Sequence, residues 1–214
     1  MMLASLRWFF FEVVGRFLTL FVLGLNIRGL DNLPGSGPAI VVANHNSHLD
    51  VFVMVTILKS KIPLSRIHPV AAADYFGKNR LVRWFTRNII GAILIPRKPM
   101  KGTDPLQECR ETLERNECLV IFPEGSRGDP EIATRFKGGV AHLVEQKTET
   151  KVYPVFLHGL GKALPRGEAL LVPFICDVVA GSSLTWEGDR KAFTGRMEDR
   201  IRELSAQIHK STWD

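Results

Sequence analysis

Cysteine is scarce in this 214-residue chain. Only Cys109, Cys118 and Cys176 occur, widely spaced, odd in number and without a CxxC pair. The pattern argues against a disulfide framework and places the domain in a reducing compartment. Cys118 opens one apolar run and Cys176 sits in another, so both are expected to be buried, unreactive packing residues. Internal repeats, low-complexity tracts and recognised nucleic-acid motifs are also missing. The basic residues are scattered along the chain, so nucleic acid is not an expected partner. An uninterrupted apolar run of bilayer length is lacking too. Arg16 breaks the N-terminal segment, and Phe17 to Leu25 is too short to span. Asn26-Ile27-Arg28 follow where a cleaved leader would carry small residues, which makes the segment a poor signal peptide.

Hydrophobic residues make up 45% of the chain and charged residues 23%, a balance that excludes a mostly disordered protein. The length suits one domain with a sizeable core and is too short for two ordinary ones. The net charge of +6 favours an anionic partner, such as an anionic lipid or a phosphorylated substrate, although simple solubility would also account for it.

The most apolar stretch runs from Leu3 to Leu25 and holds Trp8, Phe9, Phe10, Phe11, Phe17 and Phe21. Ser5, Glu12, Arg16 and Thr19 fall together on a helical wheel, and Glu12 and Arg16 stand at ion-pair spacing. The expected element is an amphipathic helix with a wide apolar face and a narrow polar stripe. Placing Glu12 and Arg16 near the centre of a bilayer would cost about 2.5–3.5 kcal/mol apiece. A helix lying in the membrane interface is therefore favoured over a tilted span or a helix that only covers the core.

Short apolar runs suited to strands follow at Ala39–Ala43, His68–Ala72, Ala92–Ile95, Cys118–Phe122 and Val152–Leu157. A further pair is expected near Ala169–Val172 and Phe174–Val178. Helices are expected over Ser47–Lys59, Lys78–Asn88, Gly138–Lys147 and Arg190–Lys210. Another should run to Arg115, capped by Asp104 with Pro105 in its first position. This alternation predicts an α/β fold, a sandwich of helices around a largely buried sheet. The linker candidates are the turn around Gly35 and the loop Gly159–Gly167.

Asn44-His45-Asn46-Ser47-His48-Leu49-Asp50 lies between a strand and a helix, where a loop holds side chains out from a rigid frame. A neutral imidazole accepts a proton near neutral pH, and a carboxylate on its other nitrogen fixes the tautomer and stabilises the imidazolium. Asp50 in the first turn of the helix would reach back to His45. No Ser or Cys elbow accompanies the pair, so the nucleophile is expected to be a hydroxyl of the substrate. Two other readings stay open: Asp50 as a helix-end carboxylate bonded to backbone, and His45 with His48 as metal ligands, for which no third ligand is evident.

Arg97 stands just past one strand, and Glu124 and Arg127 stand just past another. In α/β sheets ligands bind outside the carboxyl ends of the strands. Phe136-Lys137-Gly138-Gly139 then opens a helix whose free N–H groups favour an anion. Arginines and a lysine there suit a phosphate.

The blocks Asn44-His45-x-Ser47-x-x-Asp50, Gly91…Arg97, Phe122-Pro123-Glu124-Gly125-Ser126-Arg127 and Val152-Tyr153-Pro154-Val155 resemble the glycerolipid acyltransferase family, that of lysophosphatidic acid and glycerol-3-phosphate acyltransferases. The likeness covers roughly Ile27 to Val178, and Leu164-Pro165-Arg166-Gly167 also fits it. It implies a mixed, mostly buried β-sheet flanked by helices behind an N-terminal amphipathic membrane-associated helix. Residues 1–26 would form that helix and 27–214 the acyltransferase domain. His45 would be the general base and Asp50 its orienting partner. Arg97, Glu124, Gly125, Ser126 and Arg127 would hold the acceptor, mainly its phosphate, with Lys137 beside them. Val152–Val155 would shape the acyl or acceptor pocket.

The resemblance implies no cofactor and no metal, with acyl-CoA or acyl carrier protein as co-substrate. A backbone N–H near the start of the helix after His45 would hold the oxyanion. The expected partners are lysophosphatidic acid and a membrane lipid surface, with the site facing the cytoplasm. Ser126, Gly128 and Leu94 depart from the commonest family residues, which blurs the choice of acceptor and acyl chain. Another lysolipid acceptor, or a non-catalytic membrane-binding module of the same fold, are the alternative readings.

Overall fold

The structure, a computed structural model, describes residues 2–19, 23–76, 79–97, 102–125, 135–163 and 174–208. Strands are β1 (Leu23–Arg28), β2 (Ala39–Ala43), β3 (Ile67–Ala72), β4 (Ile93–Ile95), β5 (Cys118–Ile121), β6 (Lys151–His158) and β7 (Phe174–Ala180). Helices are α1 (Met2–Phe10), α2 (Leu49–Leu58), α3 (Ala73–Phe76), α4 (Arg80–Phe85), α5 (Gln107–Glu114), α6 (Gly139–Gln146), α7 (Leu160–Ala163) and α8 (Arg190–Ala206). The strands form one sheet in the order β1-β7-β6-β2-β5-β3-β4. β6, β2, β5, β3 and β4 run parallel; β7 is antiparallel to β6, and β1 is parallel to β7. The sheet is thus mixed, as expected.

Alternation along the central strands builds two cores. Ala39, Val41 and Ala43 of β2 face α2 and the N-terminal helix, with Val120, Val155 and Leu157 beside them. Ile40 and Val42 face the other way, onto α5, α6 and α8 through Leu113, Val140, Leu143, Phe193 and Met197. Every residue of β2 is buried, which is why it reads as a continuous apolar run. Cys109, Cys118 and Cys176 lie buried in these layers. Burial pushes the thiols of Cys109 and Cys118 up to about 12, which keeps them inert near neutral pH.

The N-terminal expectation needs correction at its end. α1 passes into a π-helical turn over Phe11–Gly15, and helical backbone extends to Thr19. Leu23–Arg28 is not helix but the edge strand β1, paired in register with β7 from Leu23↔Phe174 to Arg28↔Val179. Leu23, Leu25 and Ile27 alternate onto the core, and that period of two prevails over the helical reading of the apolar run. Glu12 and Arg16 do pair, at 3.4 Å, and Glu12 also meets Lys59 of α2 at 2.6 Å. Arg7 was unanticipated. It lies buried and donates to the carbonyl oxygens of Ile67 at 2.8 Å and Ile90 at 3.1 Å. Burial lowers its pKa to about 10. Gly91, at φ +74, leaves room for the guanidinium, which a Cβ would strike.

The inner side of the helix is therefore tied to the domain. Met2, Leu6, Phe9, Val13 and Phe17, spaced by three and four, stay exposed on its outer side. Among the described residues no helix is long and apolar enough to cross a membrane. Helix α5 begins at Gln107 rather than Pro105. Asp104 instead closes a turn ahead of it, its side chain accepting from Leu106 N at 2.9 Å. The expected strand at Ala169–Val172 and the Leu164–Gly167 block lie outside the described residues.

Candidate active site

The carboxyl ends of the five parallel strands share one edge of the sheet, and the loop after β2 stands at the middle of it. Backbone pairing between β2 and β6 stops at Ala43↔Val155. Asn44 then continues it with its side chain. Nδ2 donates to Leu157 O at 2.8 Å, and Oδ1 accepts from Leu157 N at 2.7 Å. Asn44 is fully buried, so both polar ends are matched where water does not reach. This two-bond clamp fixes the point at which the chain leaves the sheet.

His45 comes next. Its backbone N–H donates to Glu124 Oε1 at 3.2 Å, which ties the loop to the turn after β5. Its ring Nδ1 lies 2.8 Å from Asp50 Oδ2. The same oxygen accepts the amides of Asn46 at 2.7 Å and Ser47 at 2.9 Å. An oxygen already taking two N–H groups is an acceptor, so Nδ1 is the donor, and in the neutral imidazole Nε2 keeps its lone pair. The ring stacks on Phe122, centroids 4.4 Å apart, and remains 18% exposed while Asp50 is fully buried. The imidazole is thus braced on one nitrogen and one face, and open to solvent.

Helix α2 starts at Leu49, two residues later than expected, because Ser47 serves as the turn. Its carbonyl accepts from Asp50 N and its hydroxyl from Leu49 N. Three amides of this loop are engaged: those of Asn46 and Ser47 bond Asp50 Oδ2, and that of Asp50 bonds Ser47 O. His48 turns to a different neighbourhood, its Nε2 3.3 Å from Tyr75 Oη and its ring against Tyr75 and Phe76. Among the described residues no group of three or more His, Cys, Asp or Glu is placed to hold a metal ion.

The other nominated residues divide by place. Glu124 is buried and serves the His45 amide. Gly125, at φ +72, closes the turn with its N–H on Phe122 O at 3.1 Å. A Cβ at Gly125 would strike Lys137 Nζ, so the lysine lies across this glycine. The backbone of Lys137 is held to Pro123 O at 2.9 Å. Lys137 therefore joins the turn that carries Glu124. Arg97 does not. It follows β4, three positions from β2 in the sheet, roughly 14 Å at ordinary strand spacing, and pairs with Asp74 at 3.3 Å. Ser126 and Arg127 lie outside the described residues. Val152–Val155 form mid-strand β6 beside β2, and the part of that strand that meets the loop after β2 is Leu157.

A family model described as acyltransferase matches residues 24–158. The chain belongs to the acyltransferase family. Within that family, the chain is 33% identical over 145 residues to a chloroplastic 1-acyl-sn-glycerol-3-phosphate acyltransferase of Arabidopsis thaliana, covering 67% of this chain and 38% of the relative. It is 31% identical over 136 residues to the 1-acyl-sn-glycerol-3-phosphate acyltransferase of Helicobacter pylori, covering 63% of this chain and 54% of that protein. The chain thus spans about two fifths to one half of the length of these curated relatives. The crystal structure of the 1-acyl-sn-glycerophosphate (LPA) acyltransferase PlsC from Thermotoga maritima shares the fold of this chain. The TM-score is 0.73 at 18% identity, over 97% of this chain and 80% of that one.

Proposed function

We propose that this acyltransferase moves an acyl chain from a thioester, acyl-CoA or acyl carrier protein, to the free hydroxyl of 1-acyl-glycerol 3-phosphate, giving phosphatidic acid. The hydroxyl gives its proton to His45 Nε2 as its oxygen attacks the thioester carbonyl carbon. The tetrahedral oxyanion collapses, the C–S bond breaks, and the departing thiolate takes the proton back from the imidazolium. Asp50 stabilises that imidazolium and holds the ring. Glu124 acts on the backbone of His45 as a positioning residue. Lys137 and Gly125, with Ser126 and Arg127 next in the chain, bind the acceptor phosphate, and Arg97 serves it from the far side of the edge. No acyl-enzyme, metal or cofactor takes part.

The exposed stripe of the N-terminal helix lies in the membrane interface, where the acceptor resides, with the site on the cytoplasmic side. The observation that carries the proposal is the 2.8 Å bond from His45 Nδ1 to an aspartate oxygen already fixed by two amides. The test is a panel: lysophosphatidic acid, glycerol 3-phosphate and a head-grouped lysophospholipid, each with both donors, scored by product and by thiol released. Phosphatidic acid from lysophosphatidic acid is the expected result. Absence of transfer with either donor, or transfer only to the head-grouped lipid, would overturn it.

A further inference from the structure

The stripe of α1 does not account for all the exposed apolar surface. Leu81, Val82 and Trp84 belong to α4, and Leu81 is 77% exposed. This helix is properly built. Asn79 caps it, its Oδ1 accepting from Leu81 N at 2.8 Å and Val82 N at 3.4 Å. Yet Arg80, Leu81, Val82, Arg83 and Trp84, five consecutive residues, are all exposed. A helix of a globular core ordinarily hides one stripe. Here the inward contact is made by Phe85, edge-on to Phe10 at 5.4 Å. That contact sets the end of α4 beside the end of α1.

The charges on α4 itself, Arg80 and Arg83, are of one sign. Among the described residues neither Arg80 nor Arg83 has a carboxylate partner, whereas Arg87 pairs with Glu108 at 3.0 Å. The position matters as well. α4 follows β3 and α3, so it starts at the edge where the catalytic loop stands, and Tyr75 of α3 touches His48 of that loop.

We propose that α4 is a second membrane-seating element. Leu81, Val82 and Trp84 enter the interfacial layer, and Arg80 and Arg83 take anionic lipid head groups. With α1 it forms a two-point seat that holds the catalytic edge against the bilayer. An apolar tip rimmed by arginine, with a tryptophan at the boundary, suits a lipid interface. An acidic protein would meet the arginines but leave the apolar trio and the α1 stripe uncovered. A second copy of the chain docked face to face would set arginine against arginine.

The choice of surface rests on the lipid acyl-transfer reading, but the test reads binding without turnover. The full chain is floated with vesicles of phosphatidylcholine, and of phosphatidylcholine mixed with phosphatidylglycerol, at low and high salt. Wild type should favour the anionic vesicles, less so in high salt. The R80Q/R83Q variant should bind anionic vesicles roughly 25-fold less well, at about fivefold per arginine, with little change on the neutral ones. L81S/W84S should lose binding to both. These side chains are exposed, so circular dichroism should match wild type. Wild-type binding by either variant would overturn the proposal. So would a wild-type dimer that the variants dissociate while vesicle binding stays unchanged. If the variants lose vesicle binding but wild type transfers no acyl group, the seat stands and the acyl-transfer reading falls.

Discussion

At His45 the tautomer follows from what already donates to its partner. Asp50 Oδ2 takes two loop amides, so the imidazole must bring it a third N–H, and in the neutral ring the other nitrogen is left as the base. The amides of Asn46 and Ser47 are spent in doing this. Asn44 sets where His45 begins. Replacing Asn44 by alanine strips two partners from the buried Leu157 backbone and should lower stability by about 2–4 kcal/mol, read by denaturant unfolding. A displaced His45 loses far more in rate than in acceptor binding, so kcat should fall on the order of 100-fold with KM little changed. Lost stability with wild-type kcat would reduce Asn44 to a packing residue. The pair His45 and Asp50 was legible in the sequence because its spacing across a helix start is a local matter. The partners of Asn44 and Glu124 were not, since Leu157 and the His45 amide lie 113 and 79 residues away along the chain.

Among the elements, the N-terminal helix shows what a wheel reveals and what it hides. The polar stripe and the Glu12–Arg16 pair were legible because both repeat at helical spacing. The end of the helix was not, because an apolar run does not declare whether its period is 3.6 or 2 until a neighbouring strand claims it. Arg7 was hidden for a related reason: its partners are the carbonyls of Ile67 and Ile90, supplied by the tertiary fold. Glu12 ties this helix to α2. Its hydrogen bond from Lys59 pulls the carboxyl below its ordinary 4.5; burial opposes this, and the charge of Lys59 and the bond and charge of Arg16 add to the lowering. A carboxyl held below its unfolded value stabilises the fold above that value and stops doing so as the pH falls through the lowered one. The E12Q variant should therefore be less stable than wild type at neutral pH, by roughly 0.5–1 kcal/mol, and the gap should close as pH drops below about 4.5. Melting temperatures across that range check it, and a gap unchanged at the acid end would contradict the link.

Across the whole molecule, sheet order decides which nominated residues can act together. The sequence shows that His45, Glu124 and Arg97 each follow a strand, and rightly predicts an α/β fold with a buried sheet. It does not show that β2 and β5 are neighbours while β4 lies at the far edge. That order follows from which strands can share two helix layers, a property of the packed cores rather than of any window of sequence. The resulting edge sets His45 and Glu124 within bonding distance, lays Lys137 across the Gly125 turn, and leaves Arg97 apart from them, paired with Asp74.

The account rests on one proton transfer at this edge. The most direct measurement is phosphatidic acid formation by the H45A variant beside wild type, at saturating lysophosphatidic acid and acyl donor, with unfolding curves taken on both. Loss of base catalysis should lower kcat by about 10²–10⁴-fold while the melting transition and vesicle binding persist. A folded H45A protein turning over at the wild-type rate would contradict the account.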